Sequence, residues 1–370
     1  MSRTKKTFKY RLYPTKRQAA ILDGQLALCC ELYNAALQER RDAWRISHKS
    51  INFASQSAQL VEIKEVRPEL KLVYSQVLQD TLHRVDKTFK AFFGRVKRKA
   101  KAGFPRFRSR SRYDSITYPQ LGFWVQDSKL HLSKIGRVKI KLHRPLEGKI
   151  KTLTVKREAG HWFACFSVEC VAEPLPVSLE SIGIDVGLTT FATLSDGVEI
   201  ENPRHYPIAQ SKLRKAQRKV ARRKKGSNRR RKAIELLQRA HAHIRNQRSD
   251  FHHKISEWIV ANYGLIAVED LNLKGMASGM LAKSVSDAGW GMLLDKIAYK
   301  AANAGRAFFR VNPNGTTQTC SGCGSLVSKN LSQRVHQCPT CNLTIGRDEN
   351  AAINILGRGL RLQSATCSTS

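Results

Sequence analysis

The chain has 370 residues, 41% of them hydrophobic, and a formal charge of +36 from 65 Lys and Arg against 29 Asp and Glu. That length allows two or three domains with ordinary cores. A compact protein bears such self-repulsion best with a polyanion on it, so nucleic acid is the first expected partner and an anionic membrane surface its competitor. No apolar run nears the roughly 18 residues of a spanning helix. The basic start at 1–6 has no apolar stretch behind it, which excludes a secretory leader and points to a cytoplasmic, nucleoid-associated protein.

In chain order, 6–13 alternates Phe8, Tyr10 and Leu12 with Lys9 and Arg11, a half-buried strand closed by Pro14. Thr15 and Gln18 have the spacing of a capping box. Behind them Leu22, Cys29, Leu32, Tyr33, Leu37 and Trp44 recur at helical spacing, and a second helical pattern covers 73–96, ending in basic residues that suit its dipole. Gly103-Phe104-Pro105 ends this helical region. From 116 to 171 short β-branched and aromatic segments predict antiparallel strands of a small barrel or sandwich, which the first strand can join. Pro174-Leu175-Pro176 reads as a linker and domain boundary.

The third region opens with strand 181–186 and a hairpin over 191–200, followed by a basic helical hairpin broken at Gly226-Ser227-Asn228. An apolar strand then runs from Leu265 to Glu269, a helix from Trp290 to Ala304, a strand over 306–311 and a last helix from about Asn350. The Ser/Thr-rich tail from Gln363 to 370 is expected to lack structure.

Nine cysteines are present. Cys29, Cys30, Cys165 and Cys170 fall in helix or strand patterns and read as small buried residues; Cys367 lies in the tail. Cys320, Cys323, Cys338 and Cys341 form two Cys-x-x-Cys knuckles whose spacing fits one tetrahedral Zn²⁺ on four thiolates. Four thiolates leave no open position, so that zinc is structural.

Asp185 and Glu269 each sit on an apolar strand, where an unpaired carboxylate costs several kcal/mol to bury (about 2–7 for an uncompensated polar group). Asp348 precedes the last helix and, taken singly, reads as a helix cap. Together the three suit a pair of Mg²⁺ ions about 3.5–4 Å apart, which activate water on one side of a phosphodiester and stabilise the leaving oxygen on the other. Asp270 points to the opposite strand face.

Between 212 and 232 the chain carries thirteen cations and no acid. Lys215, Arg218, Arg222 and Arg223 are candidates there for phosphate binding near the carboxylates. A second basic cluster, Arg106 and Arg108 among Phe104, Phe107 and Tyr113, suits backbone contact beside stacked bases.

These motifs carry a resemblance. Gly183-Ile184-Asp185-Val186-Gly187, Val268-Glu269-Asp270-Leu271 and the knuckles running into Arg347-Asp348-Glu349-Asn350-Ala351-Ala352 resemble the TnpB (OrfB) family. So do Tyr10-Arg11-Leu12-Tyr13-Pro14-Thr15, Gly103-Phe104-Pro105-Arg106-Phe107 and Val311-Asn312-Pro313-Asn314-Gly315-Thr316. These are RNA-guided nucleases of bacterial insertion sequences, related to type V CRISPR effectors. The resemblance implies a mixed α+β and α/β multidomain fold. A wedge β-barrel (1–14 with 103–176) would carry an inserted helical recognition lobe (15–102). An RNase H-like RuvC domain (177–370) would hold the zinc ribbon at about 316–345. It implies Asp185, Glu269 and Asp348 as the catalytic triad, a guide RNA from the element's end, and double-stranded target DNA cut beside a short transposon-associated motif. The rival readings are a nuclease-inactive RNA-guided DNA-binding repressor and an RNase H-like DNA transposase.

Overall fold

The computed structural model describes residues 3–172, 174–330 and 332–367. They form two compact units, dividing between Val171 and Ala172.

In the first unit, β1 (Arg3–Tyr13) pairs with β7 (His161–Val171) on one side and β5 (Gly136–Lys141) on the other. With β2 (Ser115–Tyr118), β3 (Phe123–Gln126), β4 (Lys129–Leu132) and β6 (Lys149–Glu158) they make an antiparallel sheet ordered β2-β6-β7-β1-β5-β4-β3. Tyr118 and Phe123, on the two edge strands, stack edge to face at 6.2 Å, so the sheet curls into a nearly closed barrel. Helix α1 (Lys16–Ser47) starts with both bonds of the predicted capping box. After α2 (Phe53–Ala58) and α3 (Leu60–Val66), which the sequence pattern did not reveal, comes α4 (Ser75–Lys97). One core runs through helices and barrel alike, from Leu22, Leu78 and Val85 to Tyr10, Ile116 and Phe166. Barrel and helical segment, separated in the sequence reading, therefore share a single interior.

The second unit starts before the predicted linker ends. Leu175 donates its backbone N–H to the Ala304 carbonyl (3.1 Å), and Arg306 reaches the Pro176 carbonyl (2.7 Å). The segment 174–176 is thus bound to this unit; Glu173 lies outside the described residues. Strands β8 (Ser181–Val186), β9 (Thr190–Leu194) and β10 (Glu199–Glu201) run antiparallel, while β11 (Leu265–Glu269) and β12 (Ala307–Val311) lie parallel to β8, in the order β10-β9-β8-β11-β12. Between β10 and β11 rises the predicted hairpin, α5 (His205–Ala221) and α6 (Asn228–Asn262), with Ser227 capping α6. Its root is fastened by Asp287, which accepts the Tyr206 N–H and an Arg248 guanidinium N–H at 3.0 Å each. After α7 (Leu273–Met276) and α8 (Ala282–Ala288), helix α9 (Trp290–Ala304) ends at Gly305 as predicted, with φ +70°.

Helix α10 (Arg347–Cys367) packs across β8 and β11. It overturns the expectation of an unstructured tail from Gln363: the hydroxyls of Ser364 and Thr366 bond back to the carbonyls of Leu360 and Leu362, four residues earlier, and the helix continues. Residues 368–370 lie outside the described residues.

Candidate active site and metal centre

Asp185 is the last residue but one of β8, and Glu269 ends β11. These strands are parallel and in register up to Ile184 and Val268, so the two carboxylates leave neighbouring strand ends on one face. The same face receives α10. A Cβ on Gly183 would stand 2.1 Å from the Ala352 carbonyl oxygen, and one on Gly359 would stand 2.5 Å from the Ala267 Cβ. Only glycine allows helix and strands to approach so closely. Two residues on from Gly183 the strand has advanced about 6.6 Å to Asp185. One turn back from Ala352 the helix has retreated about 6 Å to Asp348. The close packing at Gly183 thereby delivers Asp348 to Asp185.

The electrostatics agree. Burial, then the charges of Glu269 and Asp348, push the Asp185 carboxyl up to about 8. Burial also raises Glu269, opposed by Thr316, whose Oγ1 donates to Glu269 Oε1 at 2.6 Å. Asp348 Oδ1 accepts from Arg347 Nε at 2.9 Å. Three carboxylates from two neighbouring strand ends and a helix start, one of them chiefly buried and resisting ionisation, offer oxygen donors of the kind hard cations take. Asp270 points away, toward Arg310 at 3.7 Å.

The four cysteines do converge. Among the described residues theirs are the only three or more potential metal-ligand atoms lying within 4.8 Å of one another. The Cys320–Cys341 and Cys323–Cys338 sulfur separations are 3.6 and 3.5 Å, close to the roughly 3.8 Å edge of a tetrahedron with Zn–S about 2.3 Å. Backbone N–H groups of Cys341 and Thr340 aimed at Cys338 lower its thiol to about 6, favouring the thiolate a zinc ion needs. The short hairpin β13 (Val335–Gln337) and β14 (Thr344–Gly346) carries the second knuckle into α10. The residues fit a zinc ribbon.

The basic candidates stand elsewhere. Lys215, Arg218, Arg222 and Arg223 are exposed on the hairpin. From its turn at Ser227 to Ile259 in the core, α6 runs on the order of 45 Å. The hairpin is thus a long helical arm whose exposed cations lie toward its turn. In the first unit Arg106 and Arg108 are exposed, with the Arg108 guanidinium 5.3 Å from the Tyr33 ring.

Sequence reasoning assigned no role to Thr316, Arg347, Asn350 or Asn354, although three of them lie inside quoted motifs. Thr316 and Asn350 are buried and the Asn354 amide bonds the Thr316 and Thr319 carbonyls at 2.8 and 2.7 Å. Buried polar side chains next to a carboxylate or a knuckle were the available signal.

Three family models match the chain: a helix-turn-helix domain of OrfB proteins over residues 1–49, OrfB_IS605, described as "Probable transposase", over 163–279, and the Cas12f1-like TNB domain over 290–355. A Streptomyces pristinaespiralis protein named "Putative RNA-guided DNA endonuclease" is 36% identical across 97% of this chain and 90% of its own. An Escherichia coli protein, "Putative RNA-guided DNA endonuclease InsQ", is 31% identical across 95% of this chain and 92% of its own. The solved mini-RNA-guided endonuclease CRISPR-Cas_phi3 superposes over 96% of this chain and 92% of its own, with TM-score 0.50 and 10% identity, a likeness of fold alone.

Proposed function

The chain belongs to the TnpB (OrfB) family, and from that membership together with the convergence of Asp185, Glu269 and Asp348 we propose that it is an RNA-guided DNA endonuclease. The single observation that carries the catalytic reading is the placement of Asp185 and Glu269 at neighbouring ends of parallel β8 and β11, with Asp348 at the start of the α10 helix packed on them. The sheet order, three antiparallel strands followed by two parallel ones, supports an RNase H-like, RuvC-type unit. Asp185, Glu269 and Asp348 would hold Mg²⁺. When bound, such ions supply an activated water and neutralise charge on a phosphodiester under hydrolysis.

The chain's own residues prepare that chemistry. Asp185 and Glu269 are fixed by strand register, and Thr316 keeps Glu269 oriented and favours its charge. The cysteine ribbon, with one structural Zn²⁺, steadies the start of α10 and so the position of Asp348. Recognition of sequence would fall to a guide RNA from the element's end pairing with double-stranded target DNA, while the protein reads a short flanking motif and backbone shape. The cations of α5 and α6 and those around Arg106 and Arg108 supply phosphate contacts.

The description of the family model over 163–279 favours a second reading, a DNA transposase on the same platform. A plasmid library carrying randomised flanks, incubated with the protein, its element-end RNA and Mg²⁺, separates the readings. RNA-dependent double-strand cutting lost in Asp185→Ala supports the nuclease. Strand joining without RNA supports the transposase, and RNA-dependent binding without cutting supports a repressor.

A further inference from the structure

The acidic cluster carries a cation of its own. Arg347, immediately before Asp348, is 14% exposed in its side chain, and its Nε and Nη2 both lie 2.9 Å from Asp348 Oδ1. Its Nη1 donates to the Gln333 carbonyl at 3.2 Å, and its backbone N–H to the Arg334 carbonyl at 2.8 Å. The guanidinium is thus held from behind by the ribbon and aimed at one carboxylate oxygen. Burial raises the Asp185 carboxyl, and the Arg347 charge acts against that rise. Arg334, the other cation near Asp348, stands 3.9 Å from Oδ2 and its side chain is 57% exposed. A mostly enclosed guanidinium therefore stands against Asp348, while the cation set against Glu269 is Arg358.

We propose that Arg347 is an internal counter-ion that occupies Asp348 while no divalent cation is bound and yields it when one binds, coupling cation loading to the ribbon segment at Gln333 and Arg334. The proposal rests on the reading of the three carboxylates as cation ligands. It makes Arg347 a positioning residue: it stabilises the cation-free site and competes with the cation for Asp348.

Removing that charge must then act in opposite directions in two measurements. The full chain with its co-purified RNA is compared with Arg347→Gln and Arg347→Lys, in magnesium-free buffer without chelator, so that the thiolate site is undisturbed. Melting temperature is read with and without Mn²⁺, and Mn²⁺ binding by calorimetry. Arg347→Gln is expected to melt lower without Mn²⁺, to bind Mn²⁺ about five-fold or more tightly, and to gain more in melting temperature when Mn²⁺ is added. Arg347→Lys, which keeps the charge, is expected to stay near the parent. An equal fall in melting temperature with and without Mn²⁺, at unchanged affinity, would mean a merely structural contact and overturn the proposal. Weaker Mn²⁺ binding in Arg347→Gln would also overturn it, by showing that Arg347 helps the cation. Both of these outcomes leave the cation reading standing. If the parent shows no Mn²⁺ binding that Asp185→Ala removes, that reading falls too, and the proposal with it.

Discussion

Asn350 accepts the Ser321 backbone N–H on its Oδ1 at 2.9 Å, while its Nδ2 donates to the Thr319 carbonyl at 2.8 Å. One buried amide therefore clips the first cysteine knuckle to α10, two residues beyond Asp348. The ribbon and the carboxylates are built as one piece, which explains why Arg347-Asp348-Glu349-Asn350 directly follows the second knuckle.

Asn350→Ala leaves the part-buried Ser321 N–H unpaired, while the Thr319 carbonyl keeps its bond from Asn354, a loss of about 1–3 kcal/mol. The expected variant melts lower, releases zinc faster to a chromogenic chelator and cuts more slowly. Zinc release at the parental rate would show that the knuckle does not depend on this clip.

Gly183→Ala tests the close approach of β8 and α10. Its methyl would meet backbone atoms, the Ala352 carbonyl and the Leu356 nitrogen, which cannot swing aside. An overpacking cost of about 1–3 kcal/mol or more is expected, with a fall of several degrees in melting temperature and loss of cutting as Asp348 moves from Asp185. Gly24→Ala is the control: nothing lies within 4 Å of its added carbon inside α1, and a gain of roughly 0.5–1 kcal/mol is expected. Equal effects at the two sites would contradict the packing argument.

Much of this architecture was legible because it is written in local chemistry. Thr15 and Gln18 make both capping bonds, Ser227 caps α6 after the Gly226 turn, and Gly305 ends α9 in the left-handed conformation it alone tolerates well. Asp185 and Glu269 stood out because apolar strands rarely end in carboxylates without a use. What stayed hidden was long-range. Nothing in local pattern says that Thr316 meets Glu269 across 47 positions, or that Leu22 and Phe166 share a core. Nor does adjacency reveal that Arg347 folds back onto Asp348 instead of facing solvent.

Thr316→Val keeps the volume and deletes the hydroxyl that Glu269 accepts from. Hydrogen bonds to charged groups contribute about 1.5–3 kcal/mol, so a roughly ten-fold or greater loss in single-turnover cutting is expected, with recovery in Thr316→Ser. Because this bond favours the charged form of Glu269, the pH at which cutting reaches half its maximum should also move upward. An unchanged pH profile with a lowered rate would assign Thr316 to packing alone.

Asp185 gives the sharpest test by pH. Its carboxyl titrates near 8 in the folded, cation-free chain, mainly through burial, against about 4 when unfolded. A folded value above the unfolded one means that the stability contribution is complete below about pH 4 and is lost as pH rises through 8. Asp185→Asn cannot ionise, so without divalent cations it should melt above the parent by a margin that opens between about pH 5 and 8. With Mg²⁺ the parent should recover, since the cation replaces the proton; calorimetry in buffers of different ionisation enthalpy would then show proton release near neutral pH that Asp185→Asn lacks. A margin independent of pH would mean that Asp185 is ionised in the empty site, and that Arg347 and solvent already balance the charge of all three carboxylates.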